Sequence, residues 1–195
     1  MVLASTVVLL GLATWVACST FVASNLVPPL PSNPASTVLM TRDAFPKSME
    51  RNAPGIQNPI FITAAEADLA DERVVIGVVV SGEARAYLRD AFDGPTRHVV
   101  NDLFGSTPVT ITHCDRRCST RVLTQLLETQ KPLNIRVGGW SYDDAMLILI
   151  VNERKYTQTA ADLPLADVPF SEVTWGEWRQ EHPESLVYLG PSMDS

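Results

Sequence analysis

Residues 74–80 read Val-Val-Ile-Gly-Val-Val-Val, six β-branched side chains around one glycine. That run constrains the fold more than any other segment, because β-branched side chains are stiff about χ1 and pack well on a pleated sheet. Ser81-Gly82 supplies a turn and Ala84 to Leu88 returns the chain, so the segment reads as a hairpin. Asp93-Gly94-Pro95 breaks the chain before a short segment, His98-Val99-Val100-Asn101-Asp102. Pro108 to Thr112 then alternates Val and Ile with Thr, the pattern of a half-buried strand, and ends at His113 and Cys114. Further strands are expected at Leu133 to Val137, Met146 to Val151, Lys155 to Thr157 and Leu186 to Leu189, with Asn152-Glu153 turning between two of them. Thr63-Ala64-Ala65-Glu66 and Thr174-Trp175-Gly176-Glu177 are capping boxes. The first opens an expected helix to about Ala70, and the second a helix carrying Trp175 and Trp178 as core anchors, with His182 near its end as a cap. The expected class is α+β, mainly antiparallel β with two short helices, in a single domain over 41–195.

Val2 to Val27 contains no charged side chain, about the length that crosses a hydrocarbon core of ~30 Å. It reads as a transmembrane helix or signal segment. No Lys or Arg precedes Arg42, so the positive region of a signal peptide is missing, whereas Val22, Ala23 and Ser24 offer a peptidase site. Cys18 follows Trp15-Val16-Ala17, a poor context for lipid attachment. Prolines 28, 29, 31 and 34 make residues 28–40 a stiff linker. The expected partner of residues 2–27 is the lipid bilayer of a bacterial cell, with the domain on the periplasmic or extracellular side. A formal net charge of -7 excludes a nucleic-acid surface, which needs clustered Lys and Arg.

Chemistry concentrates in Ile111-Thr112-His113-Cys114-Asp115-Arg116-Arg117-Cys118. The chain has three cysteines, and two of them lie four residues apart here. Such a pair binds a metal, forms a disulfide or cycles between dithiol and disulfide. His98 adds an imidazole, and thiolate with imidazole is the ligand chemistry of copper and zinc sites. His113 should face away from Cys114 if the strand continues, which makes it the second choice. Asp102 and Asp115 are candidate general bases, although the solvated turn is the commoner place for such carboxylates. Arg116 and Arg117 are an adjacent basic pair beside the cysteines and suit a small anion or a lowered thiol pKa. No phosphate loop, nucleophile elbow or zinc-protease motif is present, so no catalytic constellation is assigned.

Four blocks in order, NPIFITAAEADLADERVVIGVVVSGEARAY, HVVND, the strand into the paired cysteines, and WGEWRQEHPESLVYLG, resemble a bacterial family of unknown function, the DUF3179 type. The likeness covers about Ile56 to Gly190. It implies export or membrane attachment and groups His98 with the two cysteines, without an established activity. The commonest form of the motif has two residues between the cysteines and a glycine soon after. Here Asp115-Arg116-Arg117 intervene and Ser119 follows. The expected site is therefore a copper or zinc ion on Cys114, Cys118 and His98. The alternatives are a thiol-disulfide protein using the same cysteines, and an accessory interaction subunit of a membrane complex whose leader packs against a membrane-protein partner.

Overall fold

Along the chain, Val109 and Ile111 point to one side of their strand and Thr110, Thr112 and Cys114 to the other, and all five are buried. A strand buried on both faces belongs to the middle layer of a stack. The computed structural model describes residues 48–125 and 130–191; the uncharged leader and proline linker lie outside them. Among the described residues no helix is long and apolar enough to cross a membrane.

The elements in order are β1 (Ser48–Pro54), β2 (Ile56–Gln57), β3 (Ile62–Thr63), β4 (Val74–Val80), β5 (Glu83–Leu88), a single 3₁₀ turn (Arg89–Phe92), β6 (Val99–Phe104), β7 (Thr107–Cys114) and β8 (Ser119–Thr124). They continue with β9 (Arg136–Ser141), β10 (Met146–Val151), β11 (Arg154–Thr157), β12 (Ala166–Asp167), β13 (Phe170–Thr174), α1 (Trp175–Glu181) and β14 (Leu186–Tyr188). Three sheets result, in strand orders β1-β9-β10-β11, β12-β8-β7-β6-β2 and β13-β4-β5-β14-β3. Pairing is antiparallel except for β5 with β14 and β2 with β6. Among the described residues the fold is α+β, dominated by antiparallel sheet with one α-helix.

Two apolar cores stack these sheets. Val100, Phe104, Val109 and Ile111 of the middle sheet pack against Ile76, Val78, Tyr87 and Tyr188 of the third sheet. On the other face, Val99, Cys114 and Leu123 pack against Val137, Leu147 and Leu149 of the first sheet. The Thr positions of β7 are thus not solvent-facing, as alternation alone suggested. Their hydroxyls are satisfied inside, Thr110 donating to Asn101 Oδ1 at 2.8 Å and Thr112 to the Arg121 carbonyl at 2.8 Å. Buried polar groups persist when so paired.

The hairpin β4–β5 forms in the expected register, and its outer face carries the third core, where Trp175 and Trp178 of α1 lie on Val75, Ala86 and Val187. The Thr174–Glu177 capping box is complete, and the N–H of His182 closes the helix onto the Trp178 carbonyl. Gly77 admits the Trp178 indole: a Cβ there would lie 2.0 Å from Cζ3. Gly77→Ala is therefore expected to cost about 1–3 kcal/mol through overpacking, measured as a fall in the urea midpoint with an unchanged m-value.

The other expected helix does not form. Glu66 accepts from the Thr63 N–H and hydroxyl at 3.0 and 2.7 Å, which makes the glutamate half of the box, while its own N–H goes to the Thr63 carbonyl, and the chain runs on after one turn without helix. Ala64, Ala67 and Leu69 are drawn onto the sheet instead, and the Asp71 and Arg73 carbonyls accept the first N–H groups of α1. A turn of this length cannot repay helix nucleation against those contacts.

Candidate functional site

β7 delivers Cys114 at its end, where it pairs with Ser119 of β8 across a tight turn. The Arg117 N–H returns to the Cys114 carbonyl at 3.2 Å, and Cys118 takes a left-handed φ of 46° at the end of the turn. The Cys114 side chain points inward between the first and middle sheets and is a free thiol, so the two cysteines are not bridged to each other. Cys118 is exposed, with Sγ 3.8 Å from the Asp115 carbonyl oxygen.

Cys114 lines a cavity of about 180 Å³ together with His98, Arg51, Asp115, Arg116 and Trp140. His98 enters it from the segment before β6, where the backbone N–H of His113 donates to the His98 carbonyl at 3.0 Å. The His98 Nδ1 lies 3.0 Å from the His113 carbonyl oxygen, which can only accept, so Nδ1 carries the proton and Nε2 is left with its lone pair. A backbone carbonyl on one ring nitrogen is the usual way to orient an imidazole for ligation through the other. Burial pushes the Cys114 thiol pKa up, while the N–H groups of Arg117, Arg116 and Leu147 act in the opposite direction as donors to the sulfur.

The back wall comes from an irregularity in β9. Gly139 pairs with Ile148 and Val137 with Leu149, so Gly138 bulges. Gly139 follows at φ +116°, which brings β1 so near that a Cβ would sit 1.8 Å from the Met49 carbonyl oxygen. Such bulges re-aim neighbouring side chains. Trp140 comes next, with the Arg116 guanidinium 5.1 Å from its ring centroid.

A family model described as protein of unknown function (DUF3179) matches residues 51–194. The chain belongs to that family. No curated protein and no solved structure matches it. The matched span holds every residue of the cavity wall named above.

In this DUF3179 domain two of the expected ligands, His98 and Cys114, share one cavity, whereas Cys118 is not in its lining. Among the described residues no group of three or more His, Cys, Asp or Glu side chains is placed to hold a metal ion. His113 faces the opposite side of β7 from Cys114, as strand alternation requires. Its Nδ1 lies 2.8 Å from the Thr120 hydroxyl, which donates in turn to Glu172. Burial lowers the His113 pKa, with the nearby Glu172 carboxylate opposing that shift.

Asp102 has no part in the cavity. It accepts from Arg85 Nη1 at 2.6 Å, from the Tyr87 hydroxyl and from the Leu103 N–H at 2.7 Å, all on the side of the third sheet. Burial, followed by the Asp102 charge, pushes the Tyr87 phenol pKa well up. Sequence reasoning singled out Cys114, His98 and Arg116 but missed Arg51 and Trp140. Only their cross-strand neighbours bring them in, and no motif marks them.

Proposed function

We propose that this domain holds one thiophilic metal ion, copper(I) in preference to zinc, on Cys114 and His98, and is carried at the outer side of a bacterial membrane by residues 2–27. The supporting observation is the shared cavity, with a thiol on one wall and an imidazole whose Nε2 is free on another. Structural zinc sites take four ligands, and catalytic ones three. Soft copper(I) selects thiolate and accepts fewer partners, which suits a site of two donors. Burial holds the Cys114 thiol in its protonated form, so binding must displace that proton and affinity rises with pH.

The test is an anaerobic copper(I) titration of the full chain in detergent against a chromophoric chelator. One equivalent should bind, Cys114→Ser should abolish it, and His98→Ala should weaken it by at least about 10–100-fold, the loss seen when even a supporting group around a metal ligand is removed. Unchanged copper affinity in Cys114→Ser overturns the reading.

A further inference from the structure

The charges around the cavity have a sign that a bare metal cation does not explain. Arg51 and Arg116 line it against one carboxylate, Asp115, a formal balance of two positive to one negative in a chain of net charge -7. The ion pairs among the described residues include none of these three groups. Arg116 is held over Trp140 by its ring contact instead, which leaves its N–H edge available. Two guanidiniums without carboxylate partners among the described residues, lining one cavity of a chain with net charge -7, focus a positive potential there. They also offer the planar N–H pairs that match a carboxylate. A free copper ion approaching the cavity is repelled. An anionic complex is drawn in.

We infer that the cavity receives its metal as an anionic complex with a small carboxylate-bearing thiol, the carboxylate pairing with Arg51 and Arg116 beside Cys114. This deepens the copper reading and rests on it for the cation; the preference for an anion rests on the two guanidiniums. In the exchange, the Cys114 sulfur replaces one thiolate of a bis-thiolate copper(I) complex. The Cys114 proton leaves on the departing thiolate as free thiol, and copper stays copper(I), so charge and electrons balance. The second thiolate stays with the ion until His98 Nε2 replaces it, leaving as a thiolate anion that carries away the remaining negative charge. The volume of about 180 Å³ suits a ligand of this size and excludes a peptide.

The charge preference is tested without copper. The full chain is alkylated at low ionic strength with iodoacetate and with iodoacetamide, which share a leaving group and differ in charge. Trypsin cleaves between Cys114 and Cys118 at Arg117 in every variant, so the Cys114 peptide is read by itself in mass spectrometry. The iodoacetate-to-iodoacetamide ratio at Cys114 should fall at least about 5-fold in Arg51→Gln/Arg116→Gln, rise in Asp115→Asn, and level out in about 1 M salt. If the double variant does not fold, Asp115→Asn, at an exposed turn, still decides by its opposite sign. Should both reagents fail to reach the sulfur, the Trp140 indole N–H signal is followed by NMR during titration with mercaptoacetate and with neutral mercaptoethanol. A ratio that ignores all three substitutions, or equal NMR responses to the two thiols, overturns the inference even if copper binds. A charge-dependent ratio in a protein that takes no copper removes the copper reading and leaves the anion site. With both intact, transfer from a copper(I) mercaptoacetate complex should slow in the double variant, while uptake from the acetonitrile complex should not.

Discussion

Replacing Asp102 with alanine is expected to lower the unfolding free energy by about 3–5 kcal/mol, the range for removing one partner of a buried ion pair. The Asp102 and Arg85 side chains are 7% and 11% exposed, so solvent cannot take the carboxylate's place. Arg85 lies between the rings of Phe61 and Phe104, with centroids 4.9 and 4.3 Å from its guanidinium carbon, and would keep only the half-exposed Glu83 as counter-charge. The Tyr87 hydroxyl loses its acceptor as well. The group bridges the middle and third sheets, so the loss falls on the contact that joins them. Urea unfolding followed by tryptophan fluorescence measures it. Glu83→Ala, removing the outer partner, should cost about 1 kcal/mol or less. Equal losses in the two variants would show that the bridge between sheets does not carry the stability.

Gly139→Ala is the second large effect. A left-handed backbone costs an L-residue about 1–2 kcal/mol, and overpacking adds about 1–3 kcal/mol. The obstacle is the Met49 carbonyl of a paired strand, which cannot rotate away as a side chain would. The expected loss is therefore about 2–5 kcal/mol by the same two contributions. Because the bulge also sets Trp140 against Arg116, the thiol of Cys114 should become more reactive toward a neutral alkylating reagent in the folded state. Thermal unfolding and Cys114 alkylation, run together, check both. An unchanged melting temperature would mean that β1 gives way freely at Met49.

Legibility varied from segment to segment for physical reasons. The 74–88 hairpin, the 107–114 strand and the Thr174 capping box were readable because each is specified by neighbours two to four residues away. β8 escaped notice because Arg121 interrupts its apolar pattern. The structure accommodates that guanidinium with Asp167 at 2.6 Å and the Gln158 and Ala160 carbonyls at 2.9 Å, all remote in sequence. β1 is charged and pairs at a sheet edge, where burial leaves little apolar signature. The Thr63 box misled because a capping bond specifies how a helix starts, not that the residues after it will stay helical.

The sequence by itself determined the β-rich α+β class and the opposite facings of His113 and Cys114, while the family resemblance grouped His98 with Cys114. Tertiary structure alone decided that Cys118 stays at the tip of the turn outside the cavity, that Asp102 is spent on joining sheets, and that Arg51 and Trp140 complete the cavity wall. Periodicity reports the side of a strand on which a residue lies. The meeting of residues 51, 98, 114, 116 and 140 depends on strand register and on the bulge at Gly138, and these are set by contacts between segments distant in the chain.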